Sequence, residues 1–209
     1  MSTLDRIAYF QNVRNEVPNQ KLAKELVETR NQAGIREIAE NLENKNKNVR
    51  SDCLKVLYEI GYLDPGLIAG YANDFLKLLK SKDNRMVWGA MIGLATIADR
   101  RSKEIWAQIE AVIHITENGT VITQVWGMRV LAKVAAADEK YKKRIFPFLL
   151  EQIRACIPRD VPTHAESLLC AVDRNNKTEL LSILEARREE LTPTQLTRFK
   201  RVLKQIDQL

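Results

Sequence analysis

The sequence is poor in the residues that bind metals and move protons at neutral pH. In 209 residues there are two histidines, His114 and His164, and three cysteines, Cys53, Cys156 and Cys170. No two cysteines form a CxxC pair, and neither histidine has a Cys, Asp or Glu at ligand or triad spacing. A zinc site is therefore not expected, and both histidines read as structural or surface residues. No glycine-rich phosphate loop, GxSxG or HExxH motif occurs. The expectation is a chain with no catalytic residues, no cofactor and no metal.

Other scarcities narrow the class further. There are only 8 Gly and 6 Pro, and long Val/Thr/aromatic alternations are missing, which argues for helices over sheets. No apolar run approaches the roughly 20 residues of a membrane span. "MSTLDRIAYFQ" places Asp5 and Arg6 where a signal peptide needs an apolar run. With an odd, scattered set of thiols, this leads to a cytoplasmic protein with reduced cysteines and no membrane partner. The sequon Asn118-Gly119-Thr120 then marks only a turn ahead of a helix.

What the chain has is balanced. Hydrophobic residues make up 45% and charged residues 29%, as in a soluble globular protein. The net charge of +6 permits an anionic partner without demanding one.

The chain also repeats itself. "VWGAMIGLATIA" begins at Val87 and "VWGMRVLAKVAA" begins at Val125, 38 residues later; "NVRSDCLKVLYEIG" places Val49 another 38 residues upstream. Five residues after each valine come Leu54, Ile92 and Val130; seven after come Val56, Leu94 and Ala132. The apolar residues keep one helical phase in all three copies. A weaker fourth copy is "THAESLLCAVD", residues 163–173. Amphipathic helices are expected between the copies, over residues 33–44, 65–80, 102–116, 141–156 and 176–188, with a last one over 194–209. Asp64, Asp99, Asp138 and Asp173 stand at the junctions, 35, 39 and 35 residues apart, and each reads as an N-cap. Such steps match helical-hairpin repeats of about 34 to 47 residues.

These segments resemble the HEAT-repeat family of the armadillo-like class. "RIFPFLLEQI", with Pro147, is similar to the first helix of a HEAT unit, where the proline implies a kink. "NVRSDCLKVL" is similar to the second. The resemblance implies an all-α, right-handed α-α superhelix of about five hairpin units over residues 31–209. Two helices over residues 1–30 (4–15 and 19–30) would cap it, all within a single domain. Where Arg50 follows the first valine, Trp88 and Trp126 follow the next two, a departure from the family pattern.

Two features suggest binding surfaces. Trp88 and Trp126, each followed by glycine, read either as aromatic platforms on an inner face or as fillers beside glycines that let helices approach closely. Arg100, Arg101, Lys140, Lys143, Arg174 and Lys177 cluster at unit junctions, with Lys103, Lys142 and Arg144 among them. Stacked repeats would align them as an edge for phosphates or an acidic protein; otherwise they are a solvated surface. Trp106 reads as core, and Asp52 as the partner of a local charge pair with Arg50.

The expected function is a non-enzymatic scaffold binding a protein or peptide. The alternative is a nucleic-acid binder, since one family of alkylpurine DNA glycosylases is built from HEAT repeats. A third reading, an accessory protein to an enzyme complex as among HEAT-like chromophore lyases, has no residue of its own to support it.

Overall fold

The computed structural model describes residues 2–208. Among them are twelve α-helices and no strand. Packing divides the chain into two compact units, Met1–Ile105 and Trp106–Leu209. In the first lie α1 (Val17–Glu28), α2 (Gln32–Glu40), α3 (Lys47–Leu63), α4 (Ala72–Leu78) and α5 (Asn84–Ile97). Helix α6 (Ser102–Trp106) crosses the division. The second unit holds α7 (Ile109–Asn118), α8 (Val121–Ala137), α9 (Glu139–Ala155), α10 (Val161–Leu168), α11 (Lys177–Ala186) and α12 (Pro193–Asp207).

Each unit is built the same way. In the first, α2 packs on α3 and α4 on α5, while α3 packs on both α1 and α5. In the second, α7 and α9 pack on α8, and α10 packs on α8 and α12. The periodic positions supply the cores: Leu54, Val56, Ile92, Leu94, Val130 and Ala132 are all buried. Burial of such faces against the next helix is the main stabilising term, since one hairpin cannot cover its own apolar side.

Caps set the helix starts. Asn31, Asp83, Thr120 and Asp138 each accept a hydrogen bond from a first-turn amide. Thr192 and Gln195 form a reciprocal capping box at α12. Asp64 accepts from Gly66 N at 3.0 Å, but what it starts is a 3-10 turn, Pro65–Leu67. Asp99 lies in the turn upstream of α6, and the N-cap of α11 is Asn176, not Asp173. Asp173 closes the loop instead, accepting from Asn175 N at 2.8 Å.

Three expected helices are interrupted. Residues 65–80 form two 3-10 turns and then α4; residues 102–116 break between α6 and α7 at Gln108, whose φ is −122°. Residues 4–15 form no α-helix. A 3-10 turn, Leu4–Arg6, leads into turns ending near Asn12, which sits at φ 54°. The strap is pinned from outside: Asn19 Oδ1 accepts from Ala8 N (2.9 Å), and Asp52 Oδ2 accepts from Tyr9 N (2.8 Å). Ile7 and Ala8 of the strap are buried. Asp52 therefore holds the strap, while Arg50 donates to the carbonyl of Asn44 (2.7 Å); the expected local charge pair does not form.

Helix α9 continues through Pro147, which has no N–H to offer the Lys143 carbonyl four residues back. Its far end is closed by a side chain from the region after α11. Arg187 donates to the carbonyls of Ile153 (2.7 Å), Arg154 (2.6 Å) and Cys156 (2.8 Å), and is itself held by Glu190.

Candidate binding surface

Trp88 is half-buried on α5. The glycine after it faces a neighbouring helix: a methyl on Gly89 would lie 2.6 Å from Leu54 Cδ2 of α3. Trp126 is half-buried on α8, with the Arg129 guanidinium 4.4 Å from its ring centroid. Gly127, after it, lies against Thr116 of α7. Trp88 belongs to the first compact unit and Trp126 to the second.

The junction cations also divide between the units. Arg100 is exposed and Arg101 half-buried; Arg101 pairs with Glu104 at 3.0 Å. In the second unit, Lys142 Nζ lies 2.6 Å from both Glu139 and Asp173. Those bonds hold the Asp173 carboxyl below its ordinary range and raise Lys142. They also tie the first turn of α9, which carries Lys140 and Lys143, to the loop that carries Arg174 and Lys177. These four make no ion pair among the described residues; Lys140, Lys143 and Arg174 are exposed and Lys177 is half-buried.

Lys140 and Lys143 share a recess with Trp106, which the sequence places in the core. Trp106 is not core: it is half-buried and stacks on Tyr141, with ring centroids 4.2 Å apart and planes 18° from parallel. The recess, about 540 Å³, is lined by Trp106, Ile109, Glu110, Lys140, Lys143 and Arg144. Trp106 and Ile109 flank the break between α6 and α7, and the others come from the facing turns of α7 and α9. Arg144 grips Glu110 through two hydrogen bonds, Nε at 3.0 Å and Nη2 at 2.6 Å. The carboxylate on this wall is thus neutralised, and the two lysines are left as net positive charge. The available signal was the 35-residue spacing of Trp106 and Tyr141, close to the repeat step.

The histidines and cysteines do not line the recess. His114 is exposed and contacts Asn118; His164 is buried, and its Nδ1 has no hydrogen-bond partner. Burial pushes the Cys53 thiol up to about 12 and Cys156 up to about 11, so neither is a thiolate at neutral pH. No group of three or more His, Cys, Asp or Glu able to hold a metal occurs among the described residues. No helix among them is long and apolar enough to cross a membrane.

No protein-family model and no curated protein matches the chain. Solved structures do. An engineered protein from the Northeast Structural Genomics Consortium aligns over 100% of this chain and 98% of its own, with a TM-score of 0.68 and 16% identity. A designed armadillo repeat protein in complex with the peptide (KR)4 aligns over 90% of this chain and 86% of its own, with a TM-score of 0.63 and 14% identity. Kap121p aligns over 92% of this chain, with a TM-score of 0.70 and 16% identity; the chain spans 21% of its length. The fold is an all-helical repeat of the armadillo/HEAT kind.

Proposed function

We propose that this chain is a non-enzymatic helical-repeat scaffold that binds a protein partner. The observation that carries this reading is a set of adjacent apolar side chains left in water. They are Tyr9 with Phe10 and Tyr62 with Leu63 in the first unit, and Val121 with Ile122 in the second. Single exposed apolar residues are ordinary, whereas adjacent ones are what a partner protein would cover. Tyr9 and Phe10 are already packed edge to face, 5.1 Å apart, on a strap that Asn19 and Asp52 hold in place. A rigid aromatic pair loses little freedom on binding.

Residues 1–30 then act as the cap of about five repeats in one domain, and three cysteines outside any disulfide suit a reducing, cytoplasmic setting. The designed armadillo protein holds a basic peptide. This chain, with its net charge of +6, suits the opposite sign.

Nucleic-acid binding is the lesser reading. Arg101, Lys142, Arg144, Arg154 and Arg198 are already paired with carboxylates, which interrupts any track of phosphate contacts. The test is affinity capture from the native host with the parent chain and with Phe10→Ser and Ile122→Ser variants. Capture of a defined protein by the parent, and its loss in the variants, supports the scaffold. Capture of nucleic acid alone, released steeply by salt, refutes it.

A further inference from the structure

We propose that the recess at the start of α9 receives an acidic segment of a partner protein. An aromatic or branched aliphatic side chain of that segment rests over Trp106 and Ile109, and its flanking carboxylates meet Lys140 and Lys143. This deepens the scaffold reading and rests on it.

The chemistry comes from three features of the second unit. The floor is apolar and stiff: the Trp106 ring is backed by Tyr141 in a stack, and Ile109 is nearly buried beside it. Such a floor offers contact area with little rotamer freedom to lose. The rim is cationic and unmatched. Lys140 and Lys143 stand three residues apart on α9, the spacing that places two side chains on one helix face. Like charges at that spacing repel, and neither lysine is within ion-pair distance of a carboxylate among the described residues, Glu139 being taken by Lys142. A bound carboxylate removes that repulsion and adds attraction. Finally, the one acid on the wall is not available as their counterion. Glu110 is held in two hydrogen bonds by Arg144, which leaves the recess net positive.

The corresponding recess in the first unit shows that this is not a general property of the repeat. There Glu43 pairs with Lys77, 34 residues on, as Glu110 pairs with Arg144, also 34 residues on. That recess adds Glu40 and Asp74 to its walls and has no aromatic residue. The charge of the opening differs while the architecture is the same. A free phosphate would meet the lysines and leave the aromatic floor uncovered. A peptide that alternates acid and aromatic side chains satisfies both.

The probe is a fluorophore-labelled peptide, Glu-Asp-Phe-Glu-Asp, followed by anisotropy with the full chain. Binding is expected to weaken at least about tenfold in the Lys140→Glu/Lys143→Glu double variant, since two rim attractions become repulsions. Replacing the peptide's Phe by Ala should weaken it several-fold. A control reversal on α12, Lys200→Glu/Arg201→Glu, should leave it within about twofold. The double variant should instead bind Lys-Arg-Phe-Lys-Arg, a gain that misfolding cannot produce. Three results overturn the proposal: no binding of the acidic peptide, equal weakening by the α12 reversal, or full displacement by random duplex DNA. If the parent captures a host protein that the double variant captures equally well, the recess assignment fails and the scaffold reading stands. If the peptide binds as expected but no host protein is captured, the scaffold reading fails.

Discussion

Gly127 of α8 lies so close to Thr116 of α7 that a methyl group added to the glycine would sit 2.8 Å from the threonine Cβ. Thr116 cannot turn away, because it is buried and its hydroxyl is bonded to the Val112 carbonyl at 2.7 Å. Gly89, 38 residues earlier, meets the end of the longer Leu54 side chain, with Tyr58 next at 3.9 Å.

Gly127→Ala should therefore destabilise the protein, and Gly89→Ala should do so less. Overpacking costs about 1–3 kcal/mol, against a gain of about 1 kcal/mol when Ala replaces Gly within a helix. Urea midpoints for the two variants check the order. A Gly127→Ala protein as stable as its parent would show that the two helices separate easily.

Leu54→Ala and Ile92→Ala should each cost about 2–5 kcal/mol, the usual range for emptying a packed site. The two residues are 2% and 5% exposed. A loss below about half a kcal/mol, the size of a surface effect, would contradict their burial.

Stability should decline as the solution is acidified below pH 6.5. His164 is 3% exposed, and burial holds its pKa below the ordinary 6.5, opposed only by the nearby Asp160. The unfolded chain then binds a proton at a pH where the folded chain does not. Stability from this group is complete above pH 6.5 and is lost as pH falls from there through the lower folded value. Thermal melts of the parent and of His164→Leu across pH 5 to 8 test this: the variant should show the shallower acid-side slope.

Thiol reactivity should follow burial. Cys170 is exposed and should react quickly with an aromatic disulfide reagent near pH 8, at which pH Cys53 and Cys156 remain protonated. Cys53, enclosed by α3 and its neighbours, should react only after denaturant is added. Fast modification of all three in the native protein would be inconsistent with this packing.

Arg187→Ala should destabilise the protein by about 1–3 kcal/mol, because the part-buried carbonyls of Ile153 and Cys156 lose a charged donor. The guanidinium is 12% exposed on its side chain and serves Ile153, Arg154 and Cys156 at once. Arg187→Lys should restore only part of the loss, because an ammonium lacks the planar fork. Denaturant unfolding of both variants decides between charge and geometry.

The 38-residue valine series led directly to α3, α5 and α8, because a repeated packing problem writes the same apolar phase each time. The strap over residues 4–15 was read as a helix because its local pattern permits one. Its amides are taken by Asn19 and Asp52, and the second lies 43 residues from Tyr9, beyond any local pattern. Trp106 was read as core for a similar reason. Its neighbour in the stack is Tyr141, and only the repeat step connects them. The junction lysines were visible as a cluster. Which of them are neutralised depended on Glu110, Glu139 and Asp173, whose reach only three dimensions show.

The strap also provides a natural gauge of its own attachment. The amides of Ala8 and Tyr9 lie in no helix, and each is protected by a single side-chain oxygen. Their hydrogen exchange therefore reports release of this segment and not fraying of a helix end. If a partner covers Tyr9 and Phe10, those two amides should slow on binding while helix interiors elsewhere keep their rates.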